Sequence, residues 1–267
     1  MIDPFWQTIQ VPAGETRHWE FGRFSFWIRH IEGEWQIATK MTMDDELESR
    51  WTLAAPAEFP SETTYQRFAF DISGGGDFIT LKPEYPDRSI VSKPTMNLQV
   101  PPYSEANFFC GVAMWVKVLA GSELAPKPLT TLPLISLSKT WFGSPLEGEA
   151  CYASSTNATR DYRNLEPLPY RVVCPVKIMN RTPDPLPFER ICIRVKHLKI
   201  YQGETYLWSN DIRVTKTSSQ ELSQVSYAAT PPEIDPTAVE IAPSREKVSG
   251  GIFLRTFNNL RRTIDIH

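Results

Sequence analysis

Residues 170–178 read Tyr-Arg-Val-Val-Cys-Pro-Val-Lys-Ile, and this stretch decides the predicted fold. Apolar side chains recur at every second position from Tyr170 to Ile178, which is the period of a β-strand with one buried face. A helix would need a 3.6-residue period, so the segment predicts a strand. Pro175 lies on the opposite face and cannot donate a hydrogen bond to a neighbouring strand, so we expect this strand at a sheet edge.

The same alternation recurs along most of the chain. We predict two N-terminal hairpins, the second turning at Gly74-Gly75-Gly76, and a long hairpin over residues 190–215. Within the long hairpin the apolar phase shifts by one residue, which predicts a β-bulge near Lys196 or His197. The segments predicted as strands are 24–29, 35–39, 65–72, 78–81, 96–100, 112–118, 132–137, 170–178, 190–201 and 205–215.

One segment has helical spacing. Phe253, Phe257, Leu260 and Ile264 follow one another at intervals of four, three and four residues, which indicates an amphipathic helix over 250–267. Four prolines in residues 231–249 predict a stiff linker before it. We expect the apolar stripe to pack on its own domain, or else to engage a protein partner or a second copy of the chain.

The composition fits an all-β fold. The chain of 267 residues has 23 prolines and 13 glycines, which favours many short segments joined by turns over long helices. We predict a β-sandwich, in two tandem halves over 1–103 and 104–230, followed by the linker 231–249 and the helix 250–267. A single large β-domain stays open as the alternative.

Several classes of protein are disfavoured. The formal net charge is −3, whereas nucleic-acid-binding domains usually carry a basic excess. The longest uncharged apolar stretch, 107–116, is far short of the roughly 20 residues of a membrane helix, and no secretory signal is present. The four cysteines form no CxxC pair, so we predict reduced, buried thiols in a cytoplasmic protein.

No catalytic, cofactor or metal site is predicted from the sequence. His18 and His30 flank the first hairpin, but a zinc site would need further ligands beside them, so we interpret them as surface or hydrogen-bonded histidines. The acidic run at 44–48 lacks the spacing of a calcium loop and is interpreted as a solvated turn. A hydrolase assembled from residues scattered along the chain stays an open alternative.

Two tryptophans lie on the face opposite the apolar one in their strands. Trp27 alternates with the Phe24, Phe26 and Ile28 face, and Trp115 alternates with the face of Val112 and Met114. If both sheet faces are covered, these rings are packing residues, which is the interpretation we favour. If one face is open, they form a platform suited to sugar rings or to a protein partner.

The order of residues over 180–215 is distinctive: Asn180, Pro185-Leu186, Glu189-Arg190, Leu198-Lys199-Ile200-Tyr201 and Leu207-Trp208-Ser209-Asn210. This stretch resembles an uncharacterised all-β family of bacteria and archaea, a domain of unknown function. The resemblance implies an all-β fold in a prokaryotic cytoplasm, and it supplies no activity and no site residues.

The specific function therefore stays unknown at this stage. Because no catalytic set converges and an apolar helix follows a linker, we predict a non-enzymatic interaction module with a regulatory or assembly role. The alternative is a module that binds carbohydrate or another small ligand on the face carrying Trp27 and Trp115.

Overall fold

A computed structural model describes residues 5–42, 51–61, 65–69, 76–217, 222–247 and 251–256. The fold is nearly all β, with 54% strand and 3% helix, and no helix in the described ranges reaches seven residues. The all-β prediction is confirmed, and a packed sandwich stays a prediction. None of the helices in these ranges is long and apolar enough to cross a membrane.

The strands are short and follow one another along the chain. They are β1 Thr8–Gln10, β2 Thr16–Phe21, β3 Phe24–Ile31, β4 Glu34–Met41, β5 Trp51–Pro56, β6 Tyr65–Ala69, β7 Phe78–Glu84, β8 Ile90–Ser92, β9 Leu98–Val100, β10 Glu105–Ala113, β11 Trp115–Gly121, β12 Pro126–Pro133, β13 Lys139–Phe142, β14 Glu149–Ala153, β15 Arg171–Asn180, β16 Leu186–Phe188, β17 Ile191–Ile193, β18 Ile200–Gln202, β19 Leu207–Ser209, β20 Ile212–Lys216, β21 Leu222–Tyr227, β22 Val239–Ala242 and β23 Ile252–Arg255. Single 3₁₀ turns span Tyr162–Asn164 and Val195–His197.

Apart from Met1, the chain divides into two compact units. The N-terminal unit comprises Ile2–Glu84 and Trp115–Ile135, and the C-terminal unit comprises Tyr85–Met114 and Ser136–His267. The chain thus passes between the units three times, and residues 85–103 group with the C-terminal unit. The division into folding domains at 103/104 stays a prediction.

The N-terminal unit contains two antiparallel sheets. One has the strand order β5-β2-β3-β4-β6 and the other β1-β7-β11-β12. The first predicted hairpin is confirmed as β3 and β4, which turn at Gly33 with φ of +73°. Phe24, Phe26 and Ile28 are buried on one face of β3, as the alternation predicts, while Trp27 on the other face is half-buried.

The second predicted hairpin is wrong, although both of its strands exist. Strand β6 pairs with β4, whereas β7 pairs with β1 and β11 in the other sheet. Gly76 explains the difference, because a Cβ atom there would collide with the backbone carbonyl of Gly121 at the end of β11. This glycine therefore permits a close approach of two backbone segments and not a hairpin turn.

The C-terminal unit contains three sheets. The largest has the order β22-β18-β19-β15-β20-β21-β23, with β10 also paired to β15. A four-stranded sheet has the order β13-β14-β8-β17, and β16 pairs with β9. The residues predicted as one strand over 112–118 divide at Met114 between β10 and β11, and these strands belong to different units.

Strand β15 is central in its sheet, so the edge position predicted from Pro175 is wrong. One side of β15 pairs with β10, and the other pairs first with β19 and then with β20. Pro175 falls between the residues that pair with β19, which end at Val173, and those that pair with β20, which begin at Val176. A proline is tolerated there because the neighbouring ladder is interrupted at that position.

The predicted long hairpin is confirmed only between β18 and β19. Strand β17 pairs with β8 in another sheet, and β20 runs parallel to β15. In place of the predicted bulge near Lys196, a 3₁₀ turn closes with the Leu198 N–H donating to the Val195 carbonyl at 3.1 Å. This turn shifts the apolar phase because it advances the chain without strand pairing.

The predicted C-terminal helix is not supported. Phe253 lies in β23, which pairs antiparallel with β21, while Phe257, Leu260 and Ile264 lie outside the described residues. Pairing with β21 satisfies backbone groups along this segment, and tertiary pairing of this kind overrides local helical spacing. The proline-rich segment is also paired, because β22 joins the edge of the large sheet at β18.

Candidate metal centre

The two predicted platform tryptophans lie in different sheets of the N-terminal unit. Trp27 on β3 is half-buried and stacks on the His18 ring at a centroid distance of 4.5 Å. Trp115 on β11 is also half-buried. The two rings therefore do not line a single sheet face, and ligand binding on this pair stays a prediction.

The two histidines of the first hairpin are held by aromatic stacking. His30 is buried against Trp35 at a centroid distance of 4.1 Å, and its Nδ1 lies 2.8 Å from the Val11 carbonyl oxygen. Burial lowers the pKa of His18. Among the described residues, neither histidine belongs to a group of three metal-ligating side chains. The interpretation of His30 as a hydrogen-bonded histidine is confirmed.

A different group of ligands converges in the C-terminal unit. Glu149 and Cys151 lie at alternate positions of β14, and Cys192 lies on β17. One ligand atom from each side chain lies within 4.8 Å of the other two. Cys151 and Cys192 are buried at 0% and 4% exposure, while the Glu149 side chain is 42% exposed. The two thiols thus lie inside the unit and the carboxylate lies at its surface.

The sheet order explains how the two thiols meet. Strands β14 and β17 flank β8, and Val91 of β8 packs with both cysteines in one apolar cluster. Both cysteines are free thiols.

Polar groups surround the Glu149 carboxylate. The Arg194 guanidinium donates to Glu149 Oε1 at 2.8 Å, and the Cys192 thiol donates to the same oxygen at 3.7 Å. Ser89 Oγ donates to Oε2 at 3.3 Å. These three contacts on the carboxylate all come from hydrogen-bond donors.

The interaction between the two thiols shifts their pKa values in opposite directions. The neighbouring Cys192 thiol lowers the pKa of Cys151, and the interaction with Cys151 together with burial raises the pKa of Cys192. A thiolate is the form that binds a metal ion.

The donor set fits a soft or borderline dication. Cysteine sulfur selects Zn²⁺ and similar ions, whereas Mg²⁺ and Ca²⁺ require oxygen ligands. Two thiolates on one tetrahedral Zn²⁺ lie roughly 3.8 Å apart, because each Zn–S bond is about 2.3 Å. The three candidate ligand atoms lie within 4.8 Å of one another in the absence of an ion. Three protein ligands leave one coordination position for water or another ligand.

The remaining two cysteines provide a contrast. Cys110 and Cys174 are directly paired across β10 and β15 and are completely buried. Burial raises the pKa of each thiol to about 12. No third ligand joins them among the residues that the structure describes. They are packing residues, and all four cysteines are buried free thiols as the sequence predicts.

The sequence matches a known protein family. A family model described as a protein of unknown function, DUF432, matches residues 5–262. The chain belongs to the DUF432 family. The match spans both units, and the resemblance predicted from residues 180–215 to an uncharacterised family is confirmed. No curated protein matches the chain, and no solved structure matches it.

The candidate metal ligands of this DUF432 chain were not predicted from the sequence, for a physical reason. Glu149 and Cys151 are separated by one residue, and on a strand this spacing places both side chains on one face. That local signal is weak, because Cys192 comes from a strand much later in the chain. Only the order β14-β8-β17 brings the third ligand to the other two.

Proposed function

We propose that this DUF432 protein binds a divalent soft or borderline cation, represented by Zn²⁺, through Glu149, Cys151 and Cys192. The observation that carries the proposal is the convergence of two buried free thiols and a carboxylate, whose ligand atoms lie within 4.8 Å of one another. A bound ion would link β14 to β17 across β8.

The charge of the ligand set favours holding the ion over hydrolytic chemistry. Two thiolates and a carboxylate carry three negative charges, so a dication leaves a net charge of −1 on the centre. A negative centre polarises a bound water less than a neutral or positive one does. This supports a non-enzymatic role, in line with the prediction from the sequence.

Thiolate ligands also bear on the cellular compartment in which the protein binds metal. Cysteines bind metal only while they are reduced, and reduced thiols persist in the cytoplasm. We therefore propose a cytoplasmic location for the metal-binding form of the protein.

The test is metal binding by matched cysteine variants. Purified full-length protein is stripped with a chelator, titrated with Zn²⁺ against a chromophoric chelator, and loaded with Co²⁺ for absorption spectroscopy. We expect one ion per chain and thiolate-to-Co²⁺ charge-transfer absorption. Cys151→Ala and Cys192→Ala should abolish both signals, whereas Cys110→Ala and Cys174→Ala, which remove equally buried thiols, should retain them. Equal signals from all four variants would refute the proposal.

A second candidate function is contact with a protein partner or a second copy, in a regulatory or assembly role. The specific observation is a pair of exposed apolar side chains close together in sequence, Leu146 in the β13–β14 loop at 97% exposure and Trp141 on β13 at 47% exposure. Neighbouring exposed apolar groups are typical of contact surfaces. Sedimentation of the Trp141→Ser, Leu146→Ser double variant tests self-association. An unchanged distribution of species relative to the unaltered protein would remove this role for the two side chains.

A further inference from the structure

Arg194 accompanies the three ligands at close range. It follows Cys192 by two residues, which places both side chains on the same side of the extended chain at the end of β17. Its side chain is only 10% exposed, and its Nη2 atom lies 2.8 Å from Glu149 Oε1. A buried guanidinium requires an anionic partner, and Glu149 supplies one.

The charges of the three ligands and Arg194 together balance the charge of a dication. Cys151, Cys192 and Glu149 provide three negative charges when they ligate, and Arg194 provides one positive charge. With a dication the assembly is neutral, whereas with a monovalent cation it keeps a net charge of −1. An uncompensated charge beside the buried cysteine and Arg194 side chains is unfavourable.

We infer that Arg194 is a positioning residue of the metal centre, which fixes Glu149 as a ligand and neutralises the dication-loaded site. This inference rests on the proposed metal binding. A carboxylate oxygen has two lone pairs, so Glu149 Oε1, which lies 3.7 Å from Cys192 Sγ, can accept from Arg194 and also face the ion, while Ser89 holds Oε2. Ligating carboxylates are commonly held by such a second hydrogen bond, and loss of the partner weakens metal affinity about 10- to 100-fold.

If Arg194 competes with the ion for Glu149, its removal changes metal affinity in the opposite direction. If the guanidinium occupied the carboxylate in place of the ion, it would have to leave before binding. Removing it would then tighten metal binding. The sign of the affinity change therefore decides between support and competition.

The experiment compares Zn²⁺ dissociation constants of full-length Arg194→Met and Arg194→Lys with those of the unaltered protein. We expect affinity to fall about 10- to 100-fold in Arg194→Met and to recover largely in Arg194→Lys, which keeps the charge. Arg213→Met is the matched control, because it removes an arginine whose partner is the exposed Glu233. Its affinity should equal that of the unaltered protein.

The same Arg194→Met change in a Glu149→Gln background separates the electrostatic role of Arg194 from its contribution to packing. In Glu149→Gln the carboxylate charge is absent, so a further Arg194→Met change should have little additional effect on Zn²⁺ affinity. The Co²⁺ spectrum of each variant reports whether both thiolates still ligate. Equal weakening by Arg194→Met in both backgrounds, or unchanged or tighter binding in the single variant, would overturn the inference.

These outcomes are separable from failure of the proposed function. If the unaltered protein binds no Zn²⁺, or binds it independently of Cys151 and Cys192, the metal centre itself is refuted and the inference falls with it. If binding depends on both cysteines but is indifferent to Arg194, only the role of Arg194 is refuted.

Discussion

The backbone N–H of Cys192 donates a hydrogen bond to the carbonyl oxygen of Thr256 at 3.2 Å. Cys192 lies in β17, which is paired on its other edge with β8, so the cysteine is held between two backbone segments. Thr256 is 1% exposed and directly follows β23, the last strand of the eight-stranded sheet. The C-terminal segment therefore joins the large sheet to the sheet that carries the candidate metal ligands.

This connection predicts different consequences for two truncations. Deleting 252–267 removes β23 and the Thr256 carbonyl, whereas deleting 257–267 retains both. Four residue pairs link β23 to β21, so we expect the longer deletion to be less stable by on the order of 2–4 kcal/mol. Urea unfolding of the two truncated proteins measures the difference, and equal midpoints would contradict it. Sedimentation of the same proteins tests the predicted role of 250–267 in self-association.

Metal binding should raise stability, because an ion that binds only the folded state shifts the unfolding equilibrium. At a free Zn²⁺ concentration 100 times the dissociation constant, the gain is about 2.7 kcal/mol. Thermal unfolding with Zn²⁺ and then with excess chelator measures the gain and its reversal. Cys151→Ala should show no dependence on Zn²⁺, and a similar increase in that variant would indicate binding elsewhere.

The strands were predictable because alternation is a local property. Residues 24–39 form the predicted hairpin, since the apolar period and Gly33 both act within a few residues. The pairing of β7 was not predictable, because Gly76 fits against Gly121 from a distant strand. The helical spacing of Phe253 failed for the same kind of reason, since β21 offered a sheet edge that no local pattern reveals.

Prediction of the candidate site required even more knowledge of how strands distant in sequence pair. Single cysteines in strands are typical of packing, and that interpretation fits Cys110 and Cys174. Cys151 and Cys192 differ from them only in having Glu149 and Arg194 nearby, and this distinction exists only after β14, β8 and β17 align. The candidate site could therefore be recognised only once the order of the strands was known.

Asn180 illustrates how the family stretch contributes to folding. Its buried Nδ2 donates to the carbonyls of Val100, Pro101 and Asp184 at 2.8–3.0 Å, and its Oδ1 accepts from the backbone N–H and the hydroxyl of Thr182. Asn180 is 0% exposed, so these partners would be left unsatisfied without it. The residue thus ties the end of β9 to the turn that follows β15.

We predict that Asn180→Ala lowers the free energy of unfolding by roughly 3 kcal/mol, because buried polar groups lose their hydrogen bonds. Asn164→Ala is the control, since Asn164 is exposed and its amide contacts only Thr159 Oγ1 among the residues described. The control should change stability by no more than about 0.5 kcal/mol. Urea unfolding measures both variants, and equal small losses would show that Asn180 is not a structural clamp.

The N-terminal unit contains a carboxylate whose titration should be visible in stability. Arg67 donates to both oxygens of Glu34, at 2.7 Å from Nε and 2.5 Å from Nη2, and Gln36 also donates to it. These bonds lower the pKa of Glu34 to about 2 from an ordinary value of 4.5. A pKa lowered by folding stabilises the folded state wherever the carboxylate is ionised.

Acidification should remove the contribution of Glu34 to the stability of the folded state. The contribution of Glu34 is fully present above pH 4.5, declines as the unfolded state begins to bind the proton, and is lost as the pH falls through about 2. The unaltered protein should therefore exceed Glu34→Gln in stability near neutral pH, and the difference should narrow on acidification. Urea midpoints between pH 7 and pH 2 measure this difference, with Glu32→Gln as a control at an exposed neighbouring carboxylate. Arg67→Met should behave like Glu34→Gln, because either change removes the same pair, and a constant difference across the pH range would contradict this assignment.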